Sequence, residues 1–320
     1  MPEGDILERP RLDPEKFRDP ARTVGGGPRA SVALTALKTL WFNTGSLCNI
    51  TCRNCYMDSS PSNDRLVYLR RDEAADFLRQ IAARGYPVEE IGLTGGEPFM
   101  NPDIIAIMGD ALSRGFRVLV LTNGMKPLWH KRTAMKALIA AHGDALAFRV
   151  SIDHHTREGH EAVRGANTWD AMARTLAWLI DAGANLAVAG RTVWGESESE
   201  SRAGYGALFK TLDLPLDAGN PSHLVLFPEM DDTLDVPEIT TACWSILGVR
   251  PDAQMCASSR MVVRRKGDAA PTVVPCTLLP YDRRFDLGPS LDAAEAYGPV
   301  ALNHPHCARF CVLGGASCSV

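Results

Sequence analysis

The segment CNITCRNCY, Cys48 to Tyr56, places three cysteines in one short loop, with three and two residues between them. It follows shortly after the apolar run TLWFNT. A closed structural zinc or cluster site takes four ligands. Three leave one position to be filled from elsewhere or kept for an incoming molecule. By spacing alone a zinc site, an ordinary ferredoxin-type cluster and an open-sited cluster all fit. The surroundings of the loop have to choose between them.

Those surroundings are rhythmic. KTLWFNT is strand-like, and DEAADFLRQIAARG reads as a helix, with Asp72 placed to cap it and Gly85 to stop it. VEEIGLTGG is a strand ending in a glycine turn, and NPDIIAIMGDALSRG a helix opened by Asn101 and Pro102. RVLVLTNG is nearly continuously apolar, as a strand covered on both faces should be. A helix over KPLWHKRTAMKALIAAHG, the strand FRVSID and a helix over TWDAMARTLAWLIDAG capped by Thr168 follow. LAVAGRTVW, a helix over SRAGYGALFKTL and HLVLFPE complete the series.

Six strand–helix alternations of about 30 residues imply parallel strands with right-handed crossovers. The fold class is α/β, and six units suit a partial (β/α)6, TIM-like barrel; a doubly wound open sheet is the alternative. Either places chemistry at the carboxyl ends of the strands. The cysteine loop, GGEP, TNG, SID, GRT and FPE all fall there.

The rhythm divides the chain into an extended or poorly ordered arm (1–37, with VGGGPRA), the barrel (38–236) and a small module (237–320). In the module RMVVRR and PTVVP read as a β-hairpin turned by KGDAA, followed by an irregular, cysteine-rich tail. Such a segment is too poor in apolar residues to fold well without a ligand.

The net charge of -4, with no block of like charge, excludes an electrostatic footprint for nucleic acid or an anionic membrane. The start MPEGDILERPRLDPEKF has no apolar centre for a signal peptide, and no run is long enough to span a bilayer. A cytoplasmic enzyme is the expectation, where nine cysteines read as metal or cluster ligands before cross-links.

Cys48-x3-Cys52-x2-Cys55 followed by TGGEP (Thr94 to Pro98) and SIDHHTREGHEAVRG (Ser151 to Gly165) resembles the radical S-adenosylmethionine (radical SAM) enzymes. The resemblance covers about residues 38–230. It implies that Cys48, Cys52 and Cys55 hold a [4Fe–4S] cluster whose fourth iron binds the amino and carboxylate groups of S-adenosylmethionine. It further implies that Gly95, Gly96 and Glu97 meet the methionine ammonium group, that Ser151 and Asp153 contact the ribose with Asn123 nearby, and that Arg191 pairs with the methionine carboxylate. The backbone at Phe227 and Pro228 would edge the adenine. Asn54 stands where the family often has an aromatic residue, and Tyr56 follows the third cysteine instead. His154, His155 and His160 invite a metal-cluster reading; polar loop positions are the plainer one.

The C-terminal cysteines resemble the auxiliary-cluster modules of the same family, termed SPASM or, when shortened, Twitch. Five cysteines are too few for the two extra clusters of the full module, which implies one auxiliary [4Fe–4S] cluster on Cys256, Cys276, Cys307 and Cys311, with Cys318 a further candidate. A zinc site is the alternative, kept open by His304 and His306. Cys243 reads as a buried, inert thiol.

The function implied is reductive cleavage of S-adenosylmethionine to a 5′-deoxyadenosyl radical, followed by hydrogen abstraction from a C–H bond of a small metabolite, for oxidation or rearrangement. An external one-electron donor such as flavodoxin or ferredoxin would serve it. A peptide-modifying maturase is the alternative enzyme, and a non-catalytic iron–sulfur carrier or structural metal protein the alternative of another class. The substrate's base is not assignable, although Glu229, Asp231 and Asp232 follow the sixth strand.

Overall fold

The computed structural model describes residues 10–192 and 194–315. In chain order the elements are β1 (Ser31–Val32), β2 (Thr39–Asn43), α1 (Arg71–Arg84), β3 (Glu90–Thr94), α2 (Ile104–Ser113) and β4 (Arg117–Thr122). Then come α3 (Lys126–His130), α4 (Arg132–His142), β5 (Leu146–Ser151), α5 (Arg157–Arg164), α6 (Thr168–Asp181), β6 (Asn185–Arg191), α7 (Glu198–Thr211) and β7 (Leu224–Phe227). The C-terminal part holds α8 (Cys243–Leu247), β8 (Ser259–Val263), β9 (Thr272–Val274), α9 (Leu291–Ala296) and β10 (Val300–Ala301), among short 3-10 turns.

One eight-stranded sheet runs in the order β7-β6-β5-β4-β3-β2-β8-β9. Neighbours from β7 to β2 are parallel, as the alternating pattern requires. The hairpin of the C-terminal module is not a separate sheet. β8 pairs in parallel with β2, and β9 returns antiparallel to it. The module thus extends the barrel wall beside the strand that delivers the cysteine loop.

The strands read as continuously apolar because each face has its own core. Leu40 and Phe42 of β2, Val118 and Val120 of β4, and Leu146, Phe148 and Val150 of β5 pack outward with the helices. Trp41, Leu119, Met261 and Val263 point the other way, into a second cluster shared with Cys256, Cys276, Cys307 and Phe310 of the C-terminal part. Trp41 lies over Gly92, where any Cβ would meet its ring at 2.3 Å.

Several local expectations shift. Asp72 lies in the first turn of α1, and Arg70 is the N-cap, its N–H donating to Glu73 Oε2 at 3.0 Å. α2 begins at Ile104, after Asp103, because the Asn101 amide is turned inward onto the carbonyls of Thr44 and Leu69. The helix expected from residue 126 is broken at Lys131 into α3 and α4. Asn167, left-handed at φ 63°, caps α6, while the Thr168 hydroxyl bonds Gly165 O at 2.7 Å.

The arm from residue 10 is extended and packed. β1 pairs antiparallel with β10, Phe17 is buried, and Arg29 makes a buried ion pair with Glu238. Cys243 is half-buried, not buried, at the head of α8. Cys318 lies outside the described residues.

Candidate active site

The sequence-singled motifs meet at the carboxyl ends of β2 to β7. Two backbone bonds lock the cysteine loop to the TGGEP turn, Gly96 N–H to Gly45 O at 2.8 Å and Glu97 N–H to Leu47 O at 3.1 Å. The approach needs glycine: a Cβ on Gly95, at φ 142°, would meet Gly45 O at 2.4 Å, and one on Gly96 would meet Leu47 O at 2.2 Å. Around this junction opens a cleft of about 1050 Å³, lined by Cys48, Cys52, Cys55, Gly95, Gly96, Asn123, Ser151, Asp153, Arg191 and Phe227 among others.

Glu97 behaves differently from the expectation. Its carboxylate is buried and does not line the cleft. It accepts from Thr122 Oγ1 (2.9 Å), Asn123 N–H (2.9 Å) and Phe99 N–H (3.2 Å), so it staples the TGGEP turn to the end of β4. Burial pushes its pKa up to about 7, against the pull of the Asn123 N–H, the Thr122 hydroxyl and the Phe99 N–H.

Asn123 turns its amide to the loop, donating to Asn49 Oδ1 at 2.9 Å with Cys48 Sγ at 3.7 Å. Asp153 is held by Arg164, whose Nε reaches Oδ2 at 2.6 Å and Nη2 reaches Oδ1 at 3.3 Å. Burial opposes the charge on Arg164, but Asp153 and the thiols of Cys52 and Cys55 outweigh it and hold the guanidinium protonated. Arg191 donates from Nη1 to Arg53 O at 3.2 Å, while its Nη2 is buried without a hydrogen-bond partner. A donor left unpaired on the wall of a cleft is a seat for an anion. Asn54, left-handed at φ 52°, donates to Glu229 Oε1 at 2.8 Å, and Tyr56 lines the cleft with its hydroxyl 3.4 Å from Thr94 Oγ1.

Three cleft arginines, Arg53, Arg149 and Arg164, were not picked out by sequence reasoning. Arg164 closes α5 and needs the fold to bring it to Asp153. Arg149 is buried in β5, two positions before Ser151 and on the same inward side. An arginine in the middle of the apolar strand LAFRVS was the signal available for it.

Cys48 and Cys52 resist ionisation because the protein covers them. Burial pushes Cys48 up to about 12, against the N–H of Ile50, and raises Cys52 while Arg164 pulls it down. Metal binding overcomes such a bias by displacing the proton. Among the described residues, only His154, His155 and Glu196 bring three His, Cys or carboxylate ligand atoms mutually within 4.8 Å.

A second cavity, of about 360 Å³, lies in the C-terminal part and is lined by Cys256, Cys276, Cys307 and Cys311 with Met255, Leu278, Leu279, Val300 and Leu302. Burial pushes Cys256 up to about 11, partly offset by Arg260, and Cys307 up to about 12. Arg260 is itself buried, with Nε and Nη2 lacking hydrogen-bond partners. Burial lowers its pKa, opposed by the thiols of Cys256 and Cys276. His304 and His306 do not line this cavity; their rings pack on each other at 4.8 Å and, for His304, on Phe285 at 6.2 Å.

The family model for the radical SAM superfamily matches residues 42–202, half of the chain. This chain belongs to the radical SAM superfamily. It is 34% identical over 134 residues to the AdoMet-dependent heme synthase of Methanosarcina barkeri, covering 41% of this chain and 35% of that protein. It is 34% identical over 125 residues to the GTP 3′,8-cyclase of Stenotrophomonas maltophilia, covering 37% and 34%. The chain thus spans about a third of the length of these curated relatives. Among solved structures, Streptococcus suis SuiB bound to its precursor peptide SuiA superposes with a TM-score of 0.60 at 11% identity, over 82% of this chain and 65% of that one. That likeness is one of fold. As a radical SAM protein the chain uses a [4Fe–4S] cluster and S-adenosylmethionine. Among the described residues no helix is long and apolar enough to cross a membrane.

Proposed function

We propose that this radical SAM enzyme is an oxidoreductase or transferase type that abstracts hydrogen from a C–H bond of a small metabolite within the cleft at the barrel mouth. The observation that carries the reading is that cleft itself: three cysteines, a glycine turn and an unpaired arginine donor line it together, with apolar residues among them. Cys48, Cys52 and Cys55 would hold the cluster, leaving one iron for the cosubstrate. When bound, the cluster supplies the electron that cleaves S-adenosylmethionine and so yields the 5′-deoxyadenosyl radical.

The chain's own residues supply position and dryness. Arg191 Nη2 would take the methionine carboxylate, and the Gly95–Gly96 backbone would lie along the ammonium group. Ser151 and Asp153 would face the ribose, with Arg164 fixing the Asp153 carboxylate. Phe227, tilted on Phe310 with centroids 5.4 Å apart, would edge the adenine. Met230, Leu278 and Phe310 close the far side of the cleft and exclude water from the reacting carbon.

The cleft's mixed lining, thiols and arginines beside Leu121, Met230, Leu278 and Phe310, would seat a charged cosubstrate with a small molecule next to it. A peptide substrate is the second reading, supported by the fold shared with SuiB, which was determined with its precursor peptide.

In the C-terminal part, Cys256, Cys276, Cys307 and Cys311 would hold an auxiliary [4Fe–4S] cluster. The fit rests on their common cavity and on the buried unpaired donors of Arg260, which suit an anionic group. Such a cluster would take an electron from a substrate radical and make the net reaction an oxidation.

The test is anaerobic incubation of the reconstituted, reduced protein with S-adenosylmethionine. Formation of 5′-deoxyadenosine and methionine is expected; none under strong reduction would leave the chain an iron–sulfur carrier. Iron should count about eight per chain for two [4Fe–4S] clusters; about four with one zinc would overturn the auxiliary assignment.

A further inference from the structure

We infer that His154, His155 and Glu196 form a mononuclear site for a divalent transition metal of the zinc class, separate from both cysteine centres. The histidines follow Asp153 in the turn between β5 and α5; the glutamate precedes α7. His154 Nε2 and His155 Nε2 each lie 3.1 Å from the same atom, Glu196 Oε1. Zinc bonds of about 2.0–2.1 Å to nitrogen and oxygen place tetrahedral ligands about 3.3 Å apart. Both histidine–glutamate spacings are therefore close to what one ion requires, and the three ligand atoms lie within 4.8 Å of one another.

The site is built, not incidental. The two imidazoles stack with centroids 4.1 Å apart, and the Trp194 ring stands edge-on to His154 at 4.8 Å. Each imidazole is seated against a glycine: a Cβ on Gly159 would meet His154 Nδ1 at 2.4 Å, and one on Gly204 would meet the His155 ring at 2.4 Å. Outer partners orient the ligands, the Thr156 N–H donating to His154 Nδ1 at 3.1 Å. His154 Nδ1 lies 2.9 Å from Thr156 Oγ1, and Ser201 Oγ donates to Glu196 Oε2 at 2.9 Å.

Two neutral imidazoles suit zinc above magnesium or calcium, and a carboxylate is a ligand that zinc accepts beside them. Three protein ligands leave a fourth position for water, on a site that the partly exposed Glu196 keeps open to solvent. The ion would tie the turn carrying Asp153 to the loop that follows Arg191. It would thereby brace two walls of the cleft from outside.

The test uses the cluster-loaded protein, so that the cysteines are occupied, dialysed against zinc and then a mild chelator. X-ray absorption at the zinc edge should show one zinc per chain with nitrogen and oxygen at about 2.0–2.1 Å. A sulfur shell at about 2.3 Å, or no retained zinc, would overturn the assignment. Glu196→Gln and His155→Gln should each weaken zinc binding at least tenfold while iron and sulfide content stay at the wild-type value. Zinc affinity unchanged in both variants would also overturn it. The wild-type measurement stands even where a variant fails to fold.

Discussion

The two cysteine regions differ in nearly every physical respect except the element they share. The loop after β2 opens onto a cleft of about 1050 Å³ whose wall includes Arg53, Asn54, Arg149, Asp153, Arg164 and Arg191. The C-terminal cavity is far smaller, and apart from its cysteines only Gln254 among its lining side chains is polar. Three thiols in a polar, open setting suit a centre that must admit a charged molecule. Four in a small apolar pocket suit a group that stays. Ligand number and wall chemistry vary together, and that pairing separates a reaction site from a resident one.

The sharpest way to break this contrast is to remove the loop thiols. Replacing Cys48, Cys52 and Cys55 with alanine is expected to abolish 5′-deoxyadenosine formation while leaving the spectroscopic signal of the C-terminal centre. Loss of both signals would mean that the two regions fold as one metal-dependent unit.

A narrower cut addresses the open wall. Arg191→Met removes the buried donor that has no partner within the protein. A hydrogen bond to a charged group contributes about 1.5–3 kcal/mol, so the KM for S-adenosylmethionine should rise roughly 10- to 100-fold. An unchanged KM would place the methionine carboxylate elsewhere.

On the closed side, Arg260→Met takes a buried cation from beside Cys256 and Cys276. Reduction adds negative charge to a cluster, so losing the cation should lower the midpoint potential of the C-terminal centre with iron content retained. An unchanged potential in a redox titration would show that Arg260 serves packing alone.

The smallest expected effect lies behind the open site. His160 is buried against Trp169, at 5.5 Å between centroids, and neither ring nitrogen has a hydrogen-bond partner. Burial, assisted by Arg164, pushes its pKa down to about 4. The depressed value means that the unfolded chain binds this proton first. Its contribution is therefore present above about pH 6.5 and is lost as pH falls through about 4. His160→Phe should flatten that acid loss, worth up to about 3 kcal/mol, in urea midpoints compared at pH 7 and pH 5. An unchanged slope would assign the acid sensitivity to other groups.

Much of this protein was legible before any coordinates. Apolar strand-like runs alternating with helical segments about every 30 residues implied parallel strands, and the clustering of GGEP, SID and GRT after those strands determined one functional face. The cysteine spacing left three kinds of centre open, and the motifs after the strands chose among them. These features are local, and local spacing survives in a sequence.

What the tertiary structure decided is whatever depends on partners distant in the chain. The continuity of the hairpin with the barrel wall arises from β8 pairing with β2, more than 200 residues away. Glu97 reads as a cleft residue from its motif, yet its carboxylate is spent on Thr122 and Asn123. His154, His155 and His160 look like one set in sequence; the fold sends His160 to Trp169 and gives the other two Glu196, some 40 residues on. A buried charge or ligand takes whichever partner the packing brings within about 3 Å, and no spacing along the chain encodes that choice.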